Sequence, residues 1–130
     1  MLRVFIADDS LGFGTLAAAW LVAHPDILVV GAARSAADAI ASVVQARPDV
    51  VILDRLLPQP EQSQQVLAHV REHLPETAIL LVSGMPDDHL AGEARSAGAD
   101  GHVSKAANAV ALSEAVRRVA AARGLGGAVE

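Results

Sequence analysis

Cysteine is absent from the chain, which excludes a disulfide-stapled scaffold, thiol catalysis and any zinc or iron–sulfur centre held by cysteine. Tyrosine is absent as well, and the aromatic residues come down to Phe5, Phe13 and Trp20, so the core must be aliphatic and alanine-rich. Basic residues are in deficit. Ten Lys and Arg against fifteen Asp and Glu give a formal charge of −5, and a chain so charged lacks the basic face that neutralises nucleic-acid phosphates. Any contact with DNA therefore belongs to residues outside it. Long apolar runs are missing too: blocks such as Ile27 to Val30 and Val50 to Leu53 fall far short of the roughly 20 residues of a membrane helix. Met1-Leu2-Arg3 passes at once into a short strand-like block ending in two acids, unlike a signal segment. The expectation is a cytoplasmic protein with no membrane partner. With 52% apolar and 19% charged residues in 130, disorder is excluded and one compact domain is expected.

One piece of punctuation occurs three times. Pro25-Asp26 precedes Ile27-Leu28-Val29-Val30, Pro48-Asp49 precedes Val50-Val51-Ile52-Leu53, and Pro75-Glu76 comes shortly before Ala78-Ile79-Leu80-Leu81-Val82. Each run is continuously apolar and rich in branched side chains, the pattern of a parallel strand buried on both faces. Val4 to Ala7 and Gly101 to Ser104 bring the strands to five. Between them lie helix-spaced apolar residues, for example Val66, Val70 and Leu74, or Leu112, Val116 and Val119. Strand and helix thus alternate throughout, predicting an α/β fold with a doubly wound five-stranded parallel sheet. Gly98 and Gly124 suit helix C-caps, Pro86 a first helical turn and Asn108 an N-cap. The domain is expected over residues 1–124, with the glycine-rich 125–130 as a flexible tail or the start of a linker.

Open parallel sheets bind ligands beyond the carboxyl ends of their strands. Those ends carry Asp8-Asp9 after strand one, Asp54 after strand three, Ser83-Gly84 after strand four and Ser104-Lys105 after strand five. Strands about 4.8 Å apart gather three carboxylates, a hydroxyl and an ammonium into one pocket. Carboxylates that close need a proton or a cation, and an all-oxygen donor set suits Mg²⁺ better than zinc or copper. Lys105 and Ser83 would then face an anion held by the same metal. The anion implied is a phosphoryl group, and Asp54 is the best-placed carboxylate to accept it as an aspartyl phosphate.

Asp8-Asp9, Asp54, Ser83 and Lys105, with intervals of 45 from Asp9 to Asp54, 29 to Ser83 and 22 to Lys105, resemble the receiver domain of two-component response regulators. That family has the chemotaxis-type (βα)5 flavodoxin-like fold. Three further segments are similar to the subfamily carrying a LuxR-type helix-turn-helix output domain: His24-Pro25-Asp26-Ile27, Ala97-Gly98-Ala99-Asp100-Gly101 and Ala115-Val116-Arg117-Arg118-Val119. The resemblance implies that Asp54 accepts phosphate from a phosphohistidine on a sensor histidine kinase. It implies Mg²⁺ on Asp9, Asp54 and the backbone carbonyl of Leu56, with Asp8 holding a metal-bound water, and Ser83, Gly84 and Lys105 on the phosphoryl oxygens. Ser83 and His102 would form the switch, His102 standing where the family usually has Tyr or Phe. Phosphorylation would be read on the face of the fourth helix (Asp87 to Ala97), strand five and the last helix, as homodimerisation. Beyond accepting and slowly losing its own phosphoryl group, such a chain is not an enzyme. It would control transcription through a DNA-binding output domain absent here, or else act alone through protein contacts or in a phosphorelay.

Three departures from the family pattern stand out. Gln59-Pro60-Glu61-Gln62 follows Pro58 where a glycine is usual four residues on, implying a stiffer or rerouted loop. Ala106 replaces a frequent proline after the lysine. Leu56 and Met85 are apolar where polar side chains can orient a hydrolytic water, which favours storage of the phosphoryl group over rapid turnover.

Two other motifs have structural readings. Gly12-Phe13-Gly14-Thr15-Leu16-Ala17 spells the dinucleotide pattern, but two aspartates precede it and its glycines fall within a helix-period segment. His69-Val70-Arg71-Glu72-His73 spells an inverted metallopeptidase motif, yet the histidines lie beside the seam of Val66, Val70 and Leu74 and read as a solvated face. His102 alone reads equally as a partly buried histidine on an edge strand.

Overall fold

The computed structural model describes residues 1–84 and 87–125. The elements run β1 (Leu2–Ala7), α1 (Leu11–Val22), β2 (Ile27–Ala33), α2 (Ala36–Ala46), β3 (Val50–Asp54), α3 (Pro60–His73), β4 (Ala78–Ser83), α4 (Asp87–Ala97), β5 (Gly101–Ser104) and α5 (Ala109–Ala122). All strand pairings are parallel and the order is β2-β1-β3-β4-β5. This is the doubly wound sheet that the alternation of elements predicts.

Strand alternation divides the interior into two cores. Val4, Ile6, Val50, Ile52, Leu80 and Val82 face α1 and α5, meeting Ala17, Leu21, Leu112, Val116 and Val119. Phe5, Val51, Leu53, Ile79 and Leu81 face the other way, onto Val43 of α2, Val66 and Val70 of α3, and Leu90 and Ala94 of α4. Trp20, in the last turn of α1, is half-buried against the first core. The expectation of burial on both faces holds for β3 and β4, where every residue is buried, and fails for β2. There Leu28 is 43% exposed and the four residues after it are only partly covered or exposed. A crossover helix lies over the gap between two strands, so a strand at the sheet edge keeps its outer half bare.

Helix ends follow local chemistry. Ser35 Oγ accepts from Asp38 N–H at 3.1 Å, and Asn108 Oδ1 accepts from Ala111 N–H at 2.9 Å, as expected for N-caps. Gly98 and Gly124 have φ of +83° and +71°, the left-handed conformation in which glycine ends helices at least cost. Pro86 and Met85 lie outside the described residues, as do 126–130. Leu125 still packs against the first core, its N–H reaching Ala120 O at 2.8 Å. In the loop before α3 the Leu57–Pro58 peptide is cis, the only such bond among the described residues. Pro60 then opens α3 at a position where no N–H is needed.

Arg47 ends α2 at φ 48°, the one non-glycine residue with positive φ among those described. Arg3 holds this turn, its guanidinium donating to Ala46 O and Arg47 O. A side chain in that conformation costs energy that glycine avoids. Arg47→Gly is therefore expected to stabilise the fold by about 0.5–1 kcal/mol, offset in part by a more flexible unfolded chain. Urea denaturation checks this, and a lower midpoint in the variant would refute it.

Candidate functional site

Parallel pairing brings the strand ends level. Ala7 is opposite Leu53, Asp54 opposite Val82, and Ser83 opposite Ser104. Asp8, Asp9, Asp54, Ser83 and Lys105 thus leave the sheet along one edge. Carboxylate oxygens of Asp8, Asp9 and Asp54 lie within 4.8 Å of one another, the only such group of three His, Asp or Glu among the described residues. Asp8 and Asp54 are buried, whereas Asp9 is half-buried and opens the pocket to solvent.

Lys105 crosses this cluster. Its Nζ donates to Asp54 Oδ2 at 3.0 Å, pairs with Asp8 Oδ2 at 2.8 Å, approaches Ser10 Oγ at 3.4 Å and stands 5.3 Å from the centre of the Phe13 ring. Burial works against the ammonium's charge, but the two carboxylates outweigh it and hold the Lys105 pKa above the ordinary lysine value. Asp54 is displaced upward to about 6, because burial outweighs the Leu56 N–H and Lys105 contacts that favour its ionised form. Leu56 N–H donates to Asp54 Oδ1 at 3.2 Å, and the Leu56 side chain is exposed, at 36%. Lys105 N–H is fixed to Ser83 O at 2.8 Å, tying strand tips four and five together beside the buried Ser83.

These groups fit a hard divalent ion. Three carboxylates and one ammonium leave the cluster with a net charge of −2 when ionised. Asp8 Oδ1 is committed to Ser10 N–H at 2.7 Å and to the Ser10 hydroxyl. Asp8 Oδ2, though buried and close to Lys105 Nζ, has no aligned hydrogen bond from any described residue. A buried carboxylate oxygen left so has capacity for a further polar partner, and oxygen donors with room for water suit Mg²⁺.

His102 is not part of this cluster. It lies half-buried on β5 in a groove between β5 and α5 that Ser104, Ala111, Glu114 and Arg118 also line. Gly12 and Gly14 sit within α1, as their spacing indicates. His69 and His73 sit on α3 away from the strand tips. Gly84 is exposed, and apart from its chain neighbours no described residue comes within 4 Å of where its Cβ would be.

Several supporting residues are not evident from strand-tip reasoning. Ser10 stands at the N-cap position of α1 but makes no side-chain cap bond; its hydroxyl serves Asp8 instead. Ser63 Oγ donates to Asp54 O at 2.6 Å, fixing the end of β3 to α3. A buried serine one turn before Val66 and Leu67 on an apolar seam is the signal that could have marked it. Arg55, next to Asp54, pairs with Glu93 of α4, for which sequence spacing gives no signal.

Comparison with known proteins bears on the family and the fold. Residues 4–117 match the response regulator receiver domain family. The DNA-binding transcriptional activator DevR/DosR of Mycobacterium tuberculosis is 34% identical over 96% of this chain and 57% of its own length. The response regulator protein VraR of Staphylococcus aureus is 26% identical over 90% of this chain and 56% of its own. The chain thus spans little more than half the length of these relatives. The crystal structure of a LuxR-family two-component response regulator from Aurantimonas sp. SI85-9A1 superposes with a TM-score of 0.83, at 26% identity, over 95% of this chain and 87% of that one. With its parallel sheet, its acidic strand tips and a family match across nearly its whole length, this chain belongs to the response regulator receiver domain family.

Proposed function

We propose that Asp54 is the phosphoacceptor of this receiver, taking a phosphoryl group from the phosphohistidine of a sensor histidine kinase. The observation that carries the reading is the convergence of Asp8, Asp9 and Asp54 around the Lys105 ammonium. An Asp54 carboxylate oxygen forms the new bond to phosphorus as the bond to the histidine nitrogen breaks, and the imidazole leaves. Asp9, Asp54 and the Leu56 carbonyl would hold Mg²⁺, with Asp8 acting through a water. Bound there, the ion supplies positive charge to the phosphoryl oxygens. Lys105, Ser83 and the Gly84 N–H orient the remaining oxygens. The chain is then a phosphorylated switch rather than an enzyme acting on other substrates.

Acetyl phosphate with Mg²⁺ is expected to add one phosphoryl group, seen by mass spectrometry, and Asp54→Asn to abolish it. Unchanged modification of the variant would overturn the assignment. Retention should be long, because Leu56 offers an attacking water no hydrogen bond. Leu56→Asn is expected to speed loss of the phosphoryl group by about tenfold; equal decay rates would refute this.

Residues 1–124 would form the receiver part of a cytoplasmic regulator, with 125–130 leading to a LuxR-type DNA-binding output domain. The likeness to DevR/DosR, named as a DNA-binding activator, supports this over a stand-alone receiver. Readout would pass through α4, β5 and α5. α4 is anchored to the sheet by Leu90 and Ala94 and tied to the acceptor loop by the Arg55–Glu93 pair. Movement of Ser83 toward the phosphoryl group would let the His102 ring shift and favour a homodimer. Beryllofluoride, which mimics the aspartyl phosphate, is expected to raise the sedimentation coefficient of wild type but not of Ser83→Ala. A wild-type monomer with and without the mimic would reject the dimer.

A further inference from the structure

α3 carries two histidines that the strand-tip pocket does not use. Residues at i and i+4 share one face of a helix, and the His69 and His73 rings do meet, with centroids 4.2 Å apart and planes inclined by 35°. His69 is half-buried and His73 exposed, beside the buried Val66 and Val70. His73 Nδ1 lies 3.0 Å from His69 O. A carbonyl oxygen only accepts, so Nδ1 carries the proton and the neutral ring has its lone pair on Nε2. Metal-ligating imidazoles are held in this way, one nitrogen donating to a carbonyl or carboxylate and the other left to bind. Asp49 and Glu76 line the groove that also contains His73, together with Arg47.

We propose that His69 and His73 form a two-imidazole chelate for a borderline divalent transition ion such as Zn²⁺ or Ni²⁺, water filling the remaining positions. Imidazole donors favour these ions over Mg²⁺, which prefers oxygen. The site is separate from the acidic cluster. α3 starts at Pro60, near the tip of β3, and a rise of about 1.5 Å per residue places His73 some 20 Å further along. Among the described residues no third His, Asp or Glu converges on the pair. It is therefore a surface clip across one helical turn, without the three protein ligands of a catalytic zinc centre.

The test is a Zn²⁺ titration of the whole chain in saturating Mg²⁺, which keeps the oxygen pocket filled, followed by NMR of the histidine rings. Resonances of His69 and His73 are expected to shift together while those of His24 and His102 stay in place. His69→Ala or His73→Ala should each weaken binding about 100-fold, because a chelate becomes a single contact. His89→Ala, on α4, should leave it unchanged. Far-UV circular dichroism verifies that the variants are folded, and retention of the untagged wild type on immobilised Ni²⁺-nitrilotriacetate, lost in the double variant, is an independent readout. Zn²⁺ affinity that survives in the double variant, or that disappears in Asp9→Asn, would overturn the proposal. So would a wild type that binds no Zn²⁺, since the Nδ1 contact would then only cap the end of the helix.

Discussion

Lys105→Met is expected to slow the labelling of Asp54 by acetyl phosphate about 100-fold or more while strengthening the binding of Mg²⁺. The two effects have opposite signs because one ammonium serves two purposes. Lys105 Nζ is in contact with both Asp8 and Asp54, so its removal takes the formal charge facing an entering cation from −2 to −3 and increases the attraction. The same removal deprives the incoming phosphoryl dianion of a charged donor, and that loss falls on the transition state. Initial labelling rates at saturating Mg²⁺, set beside Mg²⁺ affinities, separate the two. An unaltered rate would remove Lys105 from the transfer step, and weaker Mg²⁺ binding would show that the pocket itself had collapsed.

In the absence of metal, Asp54→Asn is expected to stabilise the fold at pH 7.5 by about 1–2 kcal/mol and to do nothing at pH 3. The Asp54 carboxyl is pushed from 3.8 to about 6, chiefly by burial. The native state thus holds the Asp54 proton more tightly than the unfolded chain does, and stability falls as pH rises between those values. Above pH 6 the whole penalty is present; below 3.8 there is none. A site sealed from water would lose roughly 3 kcal/mol from such a displacement, but the pocket opens beside half-buried Asp9, and solvent screening roughly halves the figure. The same ionisation makes Mg²⁺ affinity fall as pH drops through about 6. Urea unfolding at the two pH values measures the first effect, and a variant less stable than wild type at pH 7.5 would contradict it.

How far these features can be read in the sequence depends on whether their cause is local. The proline-punctuated apolar runs specify their own strands, and a parallel sheet has one end where ligands can enter, so Asp8, Asp9, Asp54, Ser83 and Lys105 follow from knowing where strands stop. The half-open face of β2 does not follow, because Ile27 to Val30 is as apolar as β3 and only its place at the sheet edge distinguishes it. Arg47 gives no hint of a left-handed backbone; Arg3, more than forty residues earlier, secures that turn. Ser10 looks like a helix cap and serves Asp8 instead, a substitution decided by a carboxylate two residues away. The Arg55–Glu93 pair joins residues 38 apart and depends on how α4 packs.

Trp20 has a practical consequence. It is the chain's sole tryptophan, and with no tyrosine present the protein's intrinsic fluorescence comes almost entirely from one indole. That ring is in the last turn of α1, packed on the first core, while the strand-tip acids lie before the first turn, about 15 Å away along the helix. Emission will therefore follow the seating of α1 on the sheet and give a clean unfolding curve, yet remain nearly dark to an ion arriving at Asp9. Occupancy of the pocket needs a reporter placed elsewhere, and a Leu56→Trp substitution beside Asp54 would put one at its mouth.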